Sequence, residues 1–137
     1  MAEHPNVARL RRGFEIRTGG EFGPDEMAFM MDLFDDDIFW HGSGSGQFAT
    51  GAQGKENVFM LFGKVAEETD GTFQMTVDDI YADDTHGIVT THVVAERAGR
   101  RYEWKEVDIF HMTPEGKIKD FWGIPDDQDA LDHFFND

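Results

Sequence analysis

The sequence RRYEWKEVDIFHM, residues 100 to 112, alternates as a strand does and decides how the rest of the chain is interpreted. Successive strand side chains point to opposite faces of a sheet. One face therefore carries aromatic and apolar side chains together with Glu106 and Asp108. The opposite face is charged at its start and apolar from Val107 onward, which predicts that the second half of the strand is covered on both sides. We therefore expect Asp108 to be buried.

A buried aspartate at position 108 has two interpretations. An ionised carboxylate in an apolar environment is costly, so it must accept hydrogen bonds or stay protonated. The first interpretation is a structural carboxylate satisfied by backbone groups or by an arginine. The second is a functional acid, because active sites often contain carboxyl groups with shifted pKa values. The apolar neighbours Trp104, Phe110 and Met112 predict a raised pKa for Asp108.

The remaining pattern predicts helices first and strands later. Strand periodicity runs through FQMTVDDIYA, GIVTTHVVAE, the strand above and KIKDFWGI, and short turn sequences between them predict an antiparallel meander. Apolar residues at helical spacing predict helices over 5–18, 24–34 and 55–67 and a short helix in the tail. The order indicates an α+β fold in one domain spanning residues 1–137.

Two further segments carry expectations of their own. Met27, Met30, Met31 and Phe34 are predicted to form the core face of the second helix. The run Ile38 to His41 reads as a strand that delivers His41 to the glycine loop GSGSG, residues 42–46, which we expect to act as a flexible flap. The loop lacks the lysine and the spacing of a phosphate-binding motif.

Composition and motif spacing exclude several function classes. A formal charge of −16 disfavours nucleic acid and anionic membranes as partners. The chain has no cysteine and no apolar run of the roughly 18 residues that a membrane helix needs, so we expect a cytoplasmic protein. The histidines and aspartates lack metal-site spacing, and both serines lie in the glycine loop, so we predict no metal and no cofactor. After these exclusions, the remaining candidate is acid and base chemistry by His41, Glu106 and Asp108.

The segments LFDDDIFWH, GKENVFMLFGKV and VDIFHMTPEGKIKDFW resemble the ketosteroid isomerase-like, or NTF2-like, superfamily. Within it, the chain is similar to SnoaL-like proteins, which are related to polyketide cyclases, over nearly its whole length. The resemblance implies a curved antiparallel sheet wrapped around the N-terminal helices to form a cone with a deep apolar pocket. It also implies a homodimer formed through the sheet, and outward apolar residues such as Ile109 would need such cover.

The same resemblance implies roles for individual residues. Asp108 falls where ketosteroid isomerases have a protonated aspartate, and His41 falls at the position of their base. Phe14 falls where they have an oxyanion-binding tyrosine, and it has no hydroxyl. The implied register directs His92 and His111 outward and the following residues into the pocket: Thr91, Val93, Trp104, Glu106 and Phe121.

These observations lead to three functional hypotheses. The first is an enzyme that transfers protons, as in isomerisation, cyclisation or dehydration, on a small apolar, polycyclic or polyketide-like molecule. The second is a non-catalytic domain that binds a small ligand or mediates association, because a fold alone does not fix activity. The third, epoxide hydrolysis, would need an Asp–Arg–Asp set in the pocket, and Arg97 is the nearby candidate. The tail helix is expected either to close the cone or to dock on a partner.

Overall fold

A computed structural model describes residues 3–19 and 22–136. In chain order its elements are α1 (Pro5–Thr18), α2 (Pro24–Leu33), β1 (Phe34–His41), β2 (Ala52–Gln53), α3 (Lys55–Glu68), β3 (Gln74–Ala82), β4 (His86–Arg97), β5 (Arg100–Met112), β6 (Ile118–Pro125) and α4 (Gln128–Asn136). The α+β class is confirmed. Strand β1 begins four residues earlier than predicted, and the two-residue strand β2 was not predicted.

Local sequence signals explain how the first two helices begin. The His4 side chain accepts a hydrogen bond from the Asn6 amide at the start of α1. Helix α2 begins at Pro24, and the Glu26 carboxylate accepts a hydrogen bond from the Gly23 amide at 2.9 Å. Helix α1 ends at Thr18 with Gly19 as its C-cap, and the next glycine, Gly20, lies outside the described residues. None of the described helices is long and apolar enough to cross a membrane.

The methionine face predicted for α2 is only partly correct. Met30 is buried, but Met27 and Met31 are exposed. Helix α2 packs on α1 through Met30 and Leu33, which both approach Gly13. The other two methionines lie on the flank of this narrow contact, so they remain in solvent.

The six strands form one curved sheet in the order β2-β1-β6-β5-β4-β3. Strands β3 to β6 pair antiparallel in sequence order, which confirms the predicted meander. Strand β1 adds to the edge of this meander by pairing parallel to β6, and β2 pairs antiparallel to β1. Residues from the beginning and the end of the chain therefore lie side by side in the sheet.

The two faces of the sheet have different environments. The inner face packs against the helices in one core, which includes Val89, Val93, Trp104 and Phe110. On the outer face, Ile88, Val107 and Ile124 are 41%, 37% and 50% exposed. The prediction that the second half of β5 is covered on both sides is therefore wrong within a single chain, because the helices cover the inner face alone.

Candidate functional site

A cavity of about 140 Å³ lies between the inner face of the sheet and the helices. Its wall is mainly aromatic, and Phe14, Trp104 and Phe121 are among the lining residues. Four ionisable side chains line it: Arg17, Glu106 and Asp108 in the wall, and Asp132 near the glycine loop. A mostly apolar cavity with a few polar groups is the usual form of a small-molecule site. A volume of this size holds a ligand with about one aromatic ring, and a larger ligand would extend through the mouth.

The carboxyl groups of Glu106 and Asp108 meet beside Gly123. Both residues lie on the same face of β5, and Asp108 is paired with Gly123 of β6 in the sheet. A Cβ atom at Gly123 would lie 3.1 Å from Glu106 Oε2 and 3.2 Å from Asp108 Oδ1. The missing side chain at position 123 thus provides the space in which the two carboxyl groups converge. Sequence reasoning missed this role of Gly123.

The environment of Asp108 favours its protonated form. The side chain is only 5% exposed, and burial is the main reason why its pKa is raised well above the ordinary value. The neighbouring charge of Glu106 and a hydrogen bond with that side chain raise the pKa further, whereas Arg17 opposes the shift. Glu106 also accepts a hydrogen bond from Trp104 Nε1 at 3.1 Å. Burial and the adjacent Glu106 side chain thus act together on Asp108, and both favour its protonated form.

Arg17 is the cation of the cavity, and the sequence analysis did not identify it. Its guanidinium carbon lies 4.3 Å from the ring centre of Phe62 and 5.7 Å from that of Phe73. Desolvation lowers the pKa of Arg17, and the charges of Asp108 and Glu106 oppose this change. Nevertheless, Arg17 is exposed, so it lines the cavity at an edge that solvent reaches. The signal was present in the sequence, because position 17 continues the helical spacing of buried Leu10 and Phe14.

His41 does not face the cavity with Asp108 and Glu106. Its neighbour Trp40 lines the cavity, so strand alternation directs His41 to the outer face. There, Nε2 of His41 lies 2.9 Å from Asp120 Oδ1, and the imidazole stacks on Trp122 with ring centres 4.4 Å apart. The geometry therefore does not support the expected catalytic pair of His41 and Asp108.

The remaining predictions about which side chains point into the cavity and which point outward are only partly matched by the structure. His111 points outward, as expected, and its Nδ1 lies 3.3 Å from Asp120 Oδ2. Thr91 and Val93 are completely buried and lie beneath the cavity surface instead of lining it. The Thr91 hydroxyl donates to the backbone carbonyl of Glu106 at 3.3 Å. Among the described residues, no three histidine, aspartate or glutamate side chains are placed to hold a metal ion.

Arg97, the arginine considered for an epoxide hydrolase set, serves the fold instead. Its Nε atom lies 3.3 Å from Glu68 Oε2, and Nη1 donates to the backbone carbonyl of Phe134 at 3.2 Å. Arg97 is not among the cavity-lining residues. Any charge partner for the carboxyl pair inside the cavity is therefore Arg17.

The glycine loop and helix α4 together form the mouth of the cavity. Asp132 Oδ2 accepts hydrogen bonds from the amide and the hydroxyl of Ser45 at 3.0 and 3.2 Å. Asn136 Nδ2 donates to the Ser45 carbonyl at 3.1 Å. Gly44 and Gly46 have φ of 69° and 92°, and a Cβ on either would lie 2.2 Å from α4 side-chain atoms. The glycines thus allow the loop to approach α4 closely, and the tail helix lies beside the mouth of the cavity.

Comparison with known proteins identifies the family. The SnoaL-like domain model matches residues 20–121, so the chain belongs to the SnoaL-like family. The structure of Bal32a from a soil-derived mobile gene cassette is 29% identical, with 95% of each chain covered and a TM-score of 0.82. No curated protein matches the sequence.

Two more distant structures support the same fold. A candidate SnoaL-like polyketide cyclase from Jannaschia sp. CCS1 is 13% identical, with 100% of this chain and 99% of that chain covered and a TM-score of 0.75. An NTF2-like protein from Anabaena variabilis is 19% identical, with 93% and 95% covered and a TM-score of 0.71. The predicted NTF2-like fold is confirmed.

Proposed function

We propose that this protein is a cofactor-independent enzyme that moves protons on a small, largely apolar molecule bound in the cavity. The observation that carries the proposal is the carboxyl pair of Glu106 and Asp108, which meets beside Gly123 in an aromatic wall. Similarity to a candidate polyketide cyclase favours a carbonyl-containing, polyketide-like substrate. Isomerisation next to a carbonyl, aldol cyclisation and loss of a β-hydroxyl group can each begin with the same step, which is removal of a proton from the carbon next to the carbonyl.

The two carboxyl groups have different proposed roles. The carboxylate of Glu106 takes a proton from the carbon next to the substrate carbonyl, and the electron pair moves to the carbonyl oxygen. The protonated carboxyl group of Asp108 donates a hydrogen bond to this developing enolate oxygen. Such a donor contributes about 3 kcal/mol of transition-state stabilisation. In an isomerisation, Glu106 then returns the proton to a different carbon. In an aldol cyclisation it gives the proton to the new alkoxide, and in a dehydration it gives the proton to the leaving hydroxyl group, which departs as water. The enzyme ends each cycle unchanged.

The first step is testable without the natural substrate. Proton removal exchanges hydrogen for deuterium next to the carbonyl of cyclic ketones in D₂O, and NMR follows this exchange. We expect the protein to accelerate exchange for at least one ketone of a panel that includes 2-tetralone. Glu106→Gln should lower the rate about 10²–10⁴-fold, whereas Glu103→Gln, an exposed neighbour on the same strand, should not.

The Asp108 variants separate hydrogen-bond donation from volume. Asp108→Asn keeps a donor of similar size, but Asp108→Ala removes it. We therefore expect Asp108→Asn to retain more exchange activity than Asp108→Ala. Equal activities in the two variants would remove Asp108 from the proposed step.

The alternative is a non-catalytic domain that binds a small apolar ligand. Two observations favour it: Phe14 lines the cavity where a hydroxyl donor is expected in ketosteroid isomerases, and His41 lies on the outer face. In this case, apolar ligands would bind to the wild-type protein, but no ketone of the panel would exchange faster than in buffer.

We further propose a homodimer formed through the outer face of the sheet. Neighbouring strands bring its apolar side chains together, since Ile88 is paired with Ile109 and Val107 with Ile124. These residues form an apolar patch that a single chain leaves largely uncovered. Burying such a patch against a second copy is the usual solution.

A further inference from the structure

The cavity contains a cation whose role the proposed proton transfer does not explain. Arg17 reaches the cavity from α1, and Glu106 and Asp108 reach it from β5. Their charges act on Arg17, since both carboxyl groups oppose the lowering of its pKa. Within the described part of the chain, however, Arg17 enters no side-chain hydrogen bond or ion pair. The cation and the carboxyl pair therefore face the same space without contacting each other.

The position of the guanidinium leaves its donors available to a ligand. A guanidinium that stacks on an aromatic ring still directs its N–H groups outward in its own plane. The stack on Phe62 at 4.3 Å therefore fixes the orientation of Arg17 without using these donors. A planar donor fork matches the two oxygens of a carboxylate, and charge-assisted hydrogen bonds of this type are stronger than neutral ones.

The charge balance of the cavity also admits an anion. The raised pKa of Asp108 favours its uncharged form, so this side chain repels an anion near Arg17 less than an ionised carboxylate would. Within the described part of the chain Arg17 forms no ion pair with Glu106 or Asp108, so the carboxyl pair does not occupy its N–H groups, and Asp132 lies apart from the pair, near the glycine loop. The aromatic wall between Arg17 and the carboxyl pair accommodates a ring.

We infer that Arg17 is a specificity-determining residue that selects aromatic ligands with an anionic oxygen group, such as a carboxylate or an enolate. The inference rests on the proposed function, because it uses the same cavity. The anionic group pairs with Arg17, the ring lies along the aromatic wall, and the reacting end of the molecule approaches the carboxyl pair. A neutral ligand of the same shape packs against the aromatic wall equally well but forms no ion pair with Arg17.

Calorimetric titration with two probes of equal shape tests this inference. The probes are 2-naphthoate, which is anionic, and 2-naphthamide, which is neutral. For the wild-type protein we expect naphthoate to bind at least about tenfold more tightly, as a charge-assisted hydrogen-bonded pair implies. Arg17→Gln should abolish this preference while leaving naphthamide affinity within about twofold. Arg17→Lys, which keeps the charge but loses the planar fork, should retain part of the preference.

Controls separate specificity from folding. Arg12→Gln, on the exposed side of α1, should leave the ratio of the two affinities unchanged, because Arg12 lies near Glu15 and Glu26. A wild-type protein that does not prefer naphthoate, or an Arg17→Gln variant that weakens both probes alike, would overturn the inference. The ketone exchange assay is independent of this ratio, since its substrates are neutral. Loss of exchange with the naphthoate preference intact would therefore reject only the proposed catalysis.

Discussion

Asp108 connects the chemistry of the site with the stability of the fold. In an unfolded chain, an aspartate has a pKa of about 3.9, whereas burial raises the pKa of Asp108 well above this in the folded protein. Between these two values, the folded protein binds the extra proton. The contribution of Asp108 to the free energy of unfolding therefore falls as the pH rises from about 4 through the folded pKa, and it is constant above that.

The asparagine variant isolates this contribution. Asp108→Asn cannot titrate, so its free energy of unfolding relative to the wild type should increase with pH over the same window, by about 1.4 kcal/mol for each unit of pKa shift. Urea unfolding of both proteins from pH 4 to pH 9 provides the measurement. The exposed Asp129→Asn serves as the control and should show no such trend. A difference between Asp108→Asn and the wild type that is independent of pH would contradict the raised pKa.

Gly123 controls how closely the two carboxyl groups approach each other. In Gly123→Ala, the new Cβ would crowd one oxygen of each group, at 3.1 and 3.2 Å, so the carboxyl ends must rotate apart. The hydrogen bond between them then weakens, and we expect the pKa of Asp108 to fall, although burial still keeps it above the ordinary value. NMR titration of the side-chain carboxyl carbon measures this shift.

A second glycine provides the control for this variant. Gly63 lies in α3, and nothing lies within 4 Å of a Cβ built there. Gly63→Ala should leave the Asp108 pKa unchanged and stabilise the helix by about 0.5–1 kcal/mol. If Gly123→Ala likewise leaves the pKa unchanged, the two carboxyl groups are not coupled through the space beside Gly123.

At the scale of elements, hydrogen bonds join α4 to the glycine loop at the mouth of the cavity. Asp132→Ala removes the acceptor of both Ser45 hydrogen bonds and of one from Gln128 Nε2. We expect amide hydrogen exchange over residues 43–48 to accelerate, with little change in the central strands, because the loss is local. Mass spectrometry after deuterium labelling detects the difference. The matched variant Asp129→Ala, on the exposed side of α4, should leave the loop protected, and equal exchange in both variants would show that this contact does not hold the loop in place.

Most elements followed from local patterns in the sequence. Strand β5 spans the predicted residues 100 to 112, and α1 spans 5 to 18, because each buries one face with regular spacing along its length. Strand β2 is too short to show a period. The early start of β1 at Phe34 was hidden by three aspartates and by an irregular pairing with β6 between Phe34 and Phe39.

The site was harder to predict than the helices and strands, because its residues come from different elements that become neighbours only in the folded chain. In β1, both alternating sets contain an aromatic residue, Phe39 beside His41 on one face and Trp40 on the other, so the pattern could not decide which face is inward. Strand β5 had no such ambiguity, and both Glu106 and Asp108 line the cavity. Arg17 was missed because a charged residue on a helix such as α1 usually marks the end of the apolar face, whereas Arg17 lines the cavity. The role of Gly123 depends on its neighbour across the sheet, which no local pattern reveals.

For the whole molecule, the excess of acidic residues predicts a stability that depends on salt. With 28 acidic and 12 basic residues, most acidic side chains have no basic partner. At low ionic strength their repulsion destabilises the compact state, and salt at about 0.1 M screens charges beyond about 10 Å. We expect the melting temperature to rise with NaCl and to level off once screening is complete. A constant melting temperature would indicate local compensation, and a continuing linear rise would indicate a general salt effect.

The apolar patch on the outer face predicts the oligomeric state. Val107→Glu places a charge in the centre of the patch, so a dimer seen for the wild type by sedimentation velocity should dissociate to a monomer. Met60→Glu, at an exposed methionine of α3 away from the sheet, is the control and should remain a dimer. A wild-type monomer at all concentrations would exclude this assembly.

The parallel pairing of β1 with β6 has a kinetic consequence. These strands and the contact between Ser45 and Asn136, which are 91 residues apart in sequence, join distant parts of the chain. Closing such a long loop costs entropy before any contact compensates for it, and folds with many distant contacts form slowly. On the ribosome, the meander of β3 to β6 can pair as it emerges, but β1 must wait for β6. A binding-competent cavity therefore arises last, after residues near 136 have been synthesised.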